Sequence, residues 1–213
     1  MTTLATLKST IADDLARDDL TAQIAAAISQ AISFYQEERL FWMDTRDTTF
    51  DTVAAQSAYT ESDDSNIPLW IKIDDLLIED SDGQAYGPLD RLDQVMMERL
   101  LDTSASSGRP ESWSLFNDTF YFHPIPDAAY TVRPIGQILV AAPSSDSEPN
   151  NKWMTKGYEL LRCAAKGYVF LHTMKDMDQA SGMAVAAERE LAKLRRDSSK
   201  RTATGHIKPS CFG

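Results

Sequence analysis

Leu20-Thr21-Ala22-Gln23-Ile24-Ala25-Ala26-Ala27-Ile28-Ser29-Gln30-Ala31-Ile32-Ser33-Phe34-Tyr35 is the stretch on which the fold turns. Leu20, Ile24, Ile28, Ile32 and Tyr35 recur at helical spacing and line one face. Ala22, Ala25, Ala26, Ala27 and Ala31 widen that face with small side chains that let another helix approach closely. Upstream, Leu4, Leu7, Ile11 and Leu15 form a second stripe of the same period, with Thr3 as its cap and Asp18 or Asp19 as the candidate cap of the helix that follows. The second helix runs out into Phe41-Trp42-Met43, an aromatic cluster that reads first as core and second as an interface anchor.

Beyond residue 45 the period changes. Thr48, Phe50 and Thr52 alternate with polar neighbours, as a half-buried strand requires. In Leu69–Glu79 the phase slips at Asp74-Asp75: Ile71 and Ile73 share one face, Leu76 and Ile78 the other, and a bulge or bend is expected between them. Asp82-Gly83 and Asn117-Asp118 are hairpin turns. Leu92, Val95, Met96, Arg99 and Leu100 predict a short helix with one apolar face. Pro134 and Gly136 interrupt the strand 130–140 and predict an edge position for it. Residues 141–151 (AAPSSDSEPNN) read as a linker. Trp153, Leu160, Leu161, Ala164, Tyr168 and Leu171 then mark a helix over 152–175. Met177, Ala180, Ala184, Ala187, Leu191 and Leu194 mark a last one ending near 198.

The expected fold is therefore α+β, mainly α: a four-helix bundle from N- and C-terminal helix pairs, an inserted small antiparallel β region, and an extended C-terminal tail. The divisions are 1–45, 46–140, 141–151, 152–198 and 199–213. At 213 residues and 43% hydrophobic content the chain can bury a core. No apolar run reaches the ~18–20 residues of a membrane span, and the N-terminus does not read as a secretory signal. Two cysteines, Cys163 and Cys211, make no disulfide framework and predict a reducing compartment.

The net charge is −11, which argues against general nucleic-acid binding. It is unevenly spread: residues 188–208 hold seven Lys/Arg against three acids, leaving −15 on the rest. A basic end of this kind is either a solvated helix terminus or a segment that reaches an acidic neighbour.

The residues give little chemistry. His123, His172 and His206 lie in three separate segments, with no metal-ligand or nucleotide-cradle spacing. Asp80-Ser81-Asp82-Gly83 resembles a calcium loop only superficially and reads as a turn. Asp63-Asp64 and Asp74-Asp75 could be the paired acids of a glycoside hydrolase, but adjacent acids on a strand face opposite ways and on a loop are solvated. No catalytic residue, cofactor or metal is expected.

Three stretches carry a resemblance. The opening is Thr3-Leu4-Ala5-Thr6-Leu7-Lys8 through Leu15, continuing to Phe34-Tyr35-Gln36-Glu37-Glu38-Arg39-Leu40-Phe41-Trp42. The middle is His123-Pro124-Ile125-Pro126-Asp127-Ala128-Ala129-Tyr130-Thr131-Val132, and the end is Thr204-Gly205-His206-Ile207-Lys208-Pro209. In this order and layout the chain resembles the head-to-tail adaptors (connectors, tail accessory factors) of tailed bacteriophages. The resemblance implies a structural protein, not an enzyme, that forms a ring, commonly twelvefold, beneath the portal protein in the virion. The ring would extend the DNA channel towards a tail or nozzle protein, with genomic DNA passing through unbound and no membrane involved. It would assemble in the host cytoplasm, and the isolated chain would be monomeric until it meets the portal.

The resemblance also implies a portal-docking arm made of Arg201, Thr202, Ala203, Thr204, Gly205, His206, Ile207, Lys208, Pro209, Ser210, Cys211, Phe212 and Gly213, with Ile207, Pro209 and Phe212 as apolar anchors. Phe41 and Trp42 would be partly intersubunit. Two other function classes stand beside this one: a virion-associated cell-wall hydrolase and a generic α+β protein-binding module.

Overall fold

A computed structural model describes residues 2–103 and 106–202. It is α+β and mainly α, with six α-helices and nine strands among the described residues. The chain divides into two compact units: a helical one made of the residues up to Trp42 and those from Val140 onward, and a β unit over Met43–Leu139.

In the helical unit, α1 (Leu4–Leu15) starts at Thr3, whose hydroxyl accepts the Thr6 N–H at 3.3 Å, and stops at Ala16 in the left-handed conformation. α2 (Thr21–Tyr35) buries Ile24, Ala27, Ile28, Ala31, Ile32 and Tyr35, the stripe expected from its period. Its cap differs from expectation. Leu20 precedes the helix with no side-chain cap, because the Asp19 carboxylate instead takes both Nε and Nη2 of Arg17 at 2.7 Å.

The helix expected over 152–175 is three pieces. α4 (Lys152–Lys156) is capped by Asn151 Oδ1, which accepts the Trp153 N–H, and ends at Gly157. A Cβ on Gly157 would meet the Trp153 carbonyl at 3.1 Å and its ring at 3.2 Å, so any larger residue at this bend would have to push Trp153 aside by a few tenths of an ångström. α5 (Tyr158–Tyr168) continues as a π-helical turn over Val169–Met174. The wider turn advances the phase, and Leu171 comes out at the surface rather than on the apolar face. α5 packs against α1, α2 and α6 (Met177–Thr202). α6 buries Ala180, Ala187 and Leu191, but Met177, expected inside, is 66% exposed.

Asp14 on α1 receives Arg162 Nε and Nη2 at 2.8 Å and Lys166 Nζ at 2.9 Å from α5. Those hydrogen bonds hold its carboxyl below the usual carboxylate range, at about 2. A depressed carboxylate stabilises the fold above its unfolded pKa, and that contribution is lost as pH falls through the folded value. The stability difference between wild type and Asp14→Asn is therefore expected to be full above about pH 4 and gone by about pH 2. Its size is about 1 kcal/mol or less for so wet a pair, read from urea midpoints across that range.

The β unit holds two sheets around one core. β1 (Asp44–Thr45) and β2 (Phe50–Asp51) pair with β9 (Thr131–Ile138). β9 then pairs with β4 (Trp70–Glu79), and β4 with β5 (Ala85–Tyr86). The second sheet runs β3 (Ala58–Tyr59), β8 (Thr119–His123), β7 (Ser112–Phe116), β6 (Asp90–Arg91). Phe50, Tyr59, Ile73, Leu76, Ile78, Trp113, Phe120, Phe122 and Val132 fill the space they share.

Three expectations are corrected here. β9 is central, not an edge: Pro134 lies opposite the break between β1 and β2, which pair at Gly136–Gln137 and Thr131–Val132, so no ladder donor is asked of it on that side. The slip in β4 does fall between Ile73 and Asp75, but a second one lies between Trp70 and Lys72. Together they return Ile73, Leu76 and Ile78 to one core and leave Ile71 outside. The β region is also not wholly antiparallel. β6 and β7 run parallel because α3 (Gln94–Thr103) connects them as a crossover.

The two hairpin turns are where the sequence places them, Gly83 with φ +79° and Asn117-Asp118 with φ of 49° and 55°. The Asp80 carboxylate is occupied by that first turn, accepting the N–H groups of Asp82 and Gln84 and the hydroxyl of Tyr86.

Candidate docking site

The arm predicted from sequence begins where α6 ends. Ser199, Lys200, Arg201 and Thr202 continue the helix, whereas the sequence suggested extended chain from 199. Ala203 through Gly213, including His206, Ile207, Lys208, Pro209, Cys211 and Phe212, lie outside the described residues.

The helix end is tied down. The Arg201 guanidinium lies over the Phe41 ring, 4.1 Å from its centroid. Three residues earlier, Ser198 Oγ accepts the Phe41 N–H at 3.0 Å and donates to the Leu194 carbonyl. One turn further back, Arg195 grips Glu38 through Nε and Nη2. The i, i+3 and i+6 spacing of Arg195, Ser198 and Arg201 keeps this line of contacts on one side of the helix.

Phe41 and Trp42, paired in the sequence, separate in role. Phe41 keeps part of its ring open and lines a groove of about 400 Å³ with Met154, Tyr158, Leu194 and Arg201. Trp42 is buried, edge-on to Trp153 at 6.2 Å, and its carbonyl accepts Lys152 Nζ. Phe41 is thus the member with surface left for a neighbour. Ser198 and Arg201 are the site residues that the sequence did not single out as partners of Phe41. They lie about 160 positions away, and no periodicity reports a contact at that range.

The candidate chemistry from sequence is spread apart. Asp63 accepts the Thr60 N–H at 2.7 Å and Gln56 Nε2 at 2.7 Å, which hold its carboxyl low, and Asp64 accepts the Asn66 N–H. Both carboxylates are loop caps. Asp74 lies 3.6 Å from Lys72 Nζ. His123 precedes a cis proline, and His172 stacks on Tyr168. Cys163 is half-buried, and burial pushes its thiol up, away from a reactive thiolate.

The charge follows the two units. Met43–Leu139 holds 18 acids and 6 bases, net −12, so the remainder is +1. An acidic β unit and a near-neutral helical unit that ends in a pinned basic helix suit a protein that works by fitting others together. The comparison with known families decides the point: the SU10 adaptor protein family matches residues 2–208.

The chain belongs to the SU10 adaptor protein family.

The match agrees with the phage head-to-tail adaptor resemblance and covers the helical unit, the β unit and the first part of the arm. As an SU10 adaptor family member the chain is a phage structural adaptor, and the family's name is that of an adaptor and not of an enzyme. Portal and tail proteins are the partners such a protein implies, and the head–tail junction of the virion its place. No curated protein matches the chain. No helix among the described residues is long and apolar enough to cross a membrane.

Proposed function

We propose that this SU10 adaptor family member forms a ring, twelvefold on the portal, that docks through Arg201–Gly213 and extends the DNA channel towards the tail. The helical unit, with α1, α2, α5 and α6 as a four-helix bundle, is the body of each segment. The observation that carries this reading is the family match over residues 2–208, which runs into the arm itself. The pinning of Arg201 on Phe41 supports it, because it sets a defined point from which the arm departs. A fixed root lowers the ordering entropy lost when an extended segment binds. The net −12 of the β unit would repel DNA phosphate, so that DNA slides and does not stick.

Deleting Ala203–Gly213 leaves α6 and its contact with Phe41 in place. That variant is expected to fold as wild type and to lose portal binding by about a hundredfold or more, the scale of several buried apolar anchors. Sedimentation of the truncated chain with the phage's own portal protein measures this. Undiminished binding would remove the arm from the docking role.

A further inference from the structure

A cyclic ring needs two different surfaces on each copy that fit one another, since its contacts are head-to-tail. Two unpartnered helix faces in this chain have that character. On α6, Arg189, Lys193, Arg196 and Lys200 are all exposed and stand at i, i+4, i+7 and i+11, one continuous stripe. Val185, 54% exposed, begins it one turn earlier. Lys193 and Lys200 reach Glu190 and Asp197 of their own helix at 3.3 and 4.0 Å, solvated pairs that compete weakly with an outside partner.

On α3 the expected apolar face did not turn inward. Met97 is buried, while Val95 is 73% and Met96 48% exposed. Around them Asp90, Asp93, Glu98 and Asp102 are exposed, with Arg91 and Arg99 as the bases present. Glu98 and Asp102 follow Val95 at i+3 and i+7, on one face. Asp93 is partly engaged by the Val95 N–H, and Glu98 accepts Gln94 Nε2 at 3.2 Å. This is an apolar centre with an acidic rim, within a unit of net −12.

We propose that the basic stripe of α6 on one copy packs on the α3 face of the next, and that this is a subunit contact of the ring. The proposal rests on the ring reading above. Charge picks the occupant: each face opposes its own kind and fits the other, so two copies associate head-to-tail and not face to face.

Two charge-reversed chains test it: R189E/R196E, and E98K/D102K. All four side chains are exposed, so both variants should keep the wild-type melting curve. Assembly is read on the phage's own portal protein from a mixture of isotopically distinct copies. Carbodiimide, which joins lysine amines to carboxylates, is used to link them. In wild type, Lys193 or Lys200 should link to Glu98 or Asp102 of another copy.

Each variant alone should lose inter-copy links by at least about tenfold, as like charges then face each other. The equimolar mixture should recover to within about twofold of wild type, because alternating copies restore every contact around an even ring. The proposal is overturned if either variant alone assembles normally, if the mixture does not recover, or if R189E/R196E fails to bind portal at all. It is also overturned if wild-type copies link only elsewhere. Wild-type copies that never link on the portal would sink the ring reading itself, a separate outcome.

Discussion

Gly136→Ala is expected to be the most disruptive single-methyl change in the β unit. A Cβ there would lie 2.1 Å from the Lys72 carbonyl oxygen and 2.9 Å from the Ile73 Cα. Both are backbone atoms of the neighbouring strand, so no rotamer change relieves the overlap. Gly136 sits midway along β9, with Ile73 opposite on β4 and Thr45 opposite on β1. The clash therefore separates β9 from a partner on a strand flanked on both sides. Overpacking a core typically costs 1–3 kcal/mol, and forcing two central strands apart is expected to exceed that, at roughly 4 kcal/mol or more. Loss of soluble protein, or a urea midpoint lowered accordingly, is the expected readout. Gly182→Ala is the control. Nothing lies within 4 Å of a Cβ at Gly182, an exposed position of α6, so alanine should stabilise by about 1 kcal/mol through helix propensity. If both variants melt like wild type, the β4–β9 approach is not as close as described.

Trp153→Ala should rank next, and in the helical unit. The indole is fully buried, its Nε1–H donates to the Val140 carbonyl at 2.9 Å, and its ring meets Trp42 edge-on. α4, which carries it, has five residues and is far too short to hold itself as a helix. The packed indole is what fixes that segment. Removing it forfeits the burial and leaves a cavity, about 3–5 kcal/mol for such a truncation. Trp153→Phe keeps most of the volume and leaves the Val140 carbonyl to its second donor, Gln36 Nε2 at 3.3 Å, so losing the shorter bond should cost about 1 kcal/mol. Trp42→Phe offers a sharp contrast. Its Nε1 is buried without a hydrogen-bond partner among the described residues, so losing that N–H should cost clearly less than the same change at Trp153. Equal effects at the two positions would mean the Val140 hydrogen bond contributes nothing.

Features that depend on neighbours a few positions apart were legible in the order of the residues. The stripes Leu7, Ile11, Leu15 and Ile24, Ile28, Ile32 are helix faces because a 3.6-residue period puts them on one side, and they are buried as that period requires. Asp82-Gly83 and Asn117-Asp118 turn because their backbones tolerate positive φ, and they do so here. An extended basic tail is legible in the residues, whereas the portal as its partner comes from the resemblance, and 203–213 lie outside the described residues.

Features that depend on partners far along the chain emerge in the folded molecule. Pro134 and Gly136 look like edge signals until β1, β2 and β4 are seen to leave room for them. Val95 and Met96 look like a buried face until the sheet takes Met97 instead. The two slips of β4, the parallel β6–β7 pair, the exposure of Leu171 and the seat of Arg201 on Phe41 belong to the same class. Periodicity reports which residues share a face. Which face is covered depends on the fit of surfaces tens to more than a hundred positions apart, and that fit is written in no single window of the chain.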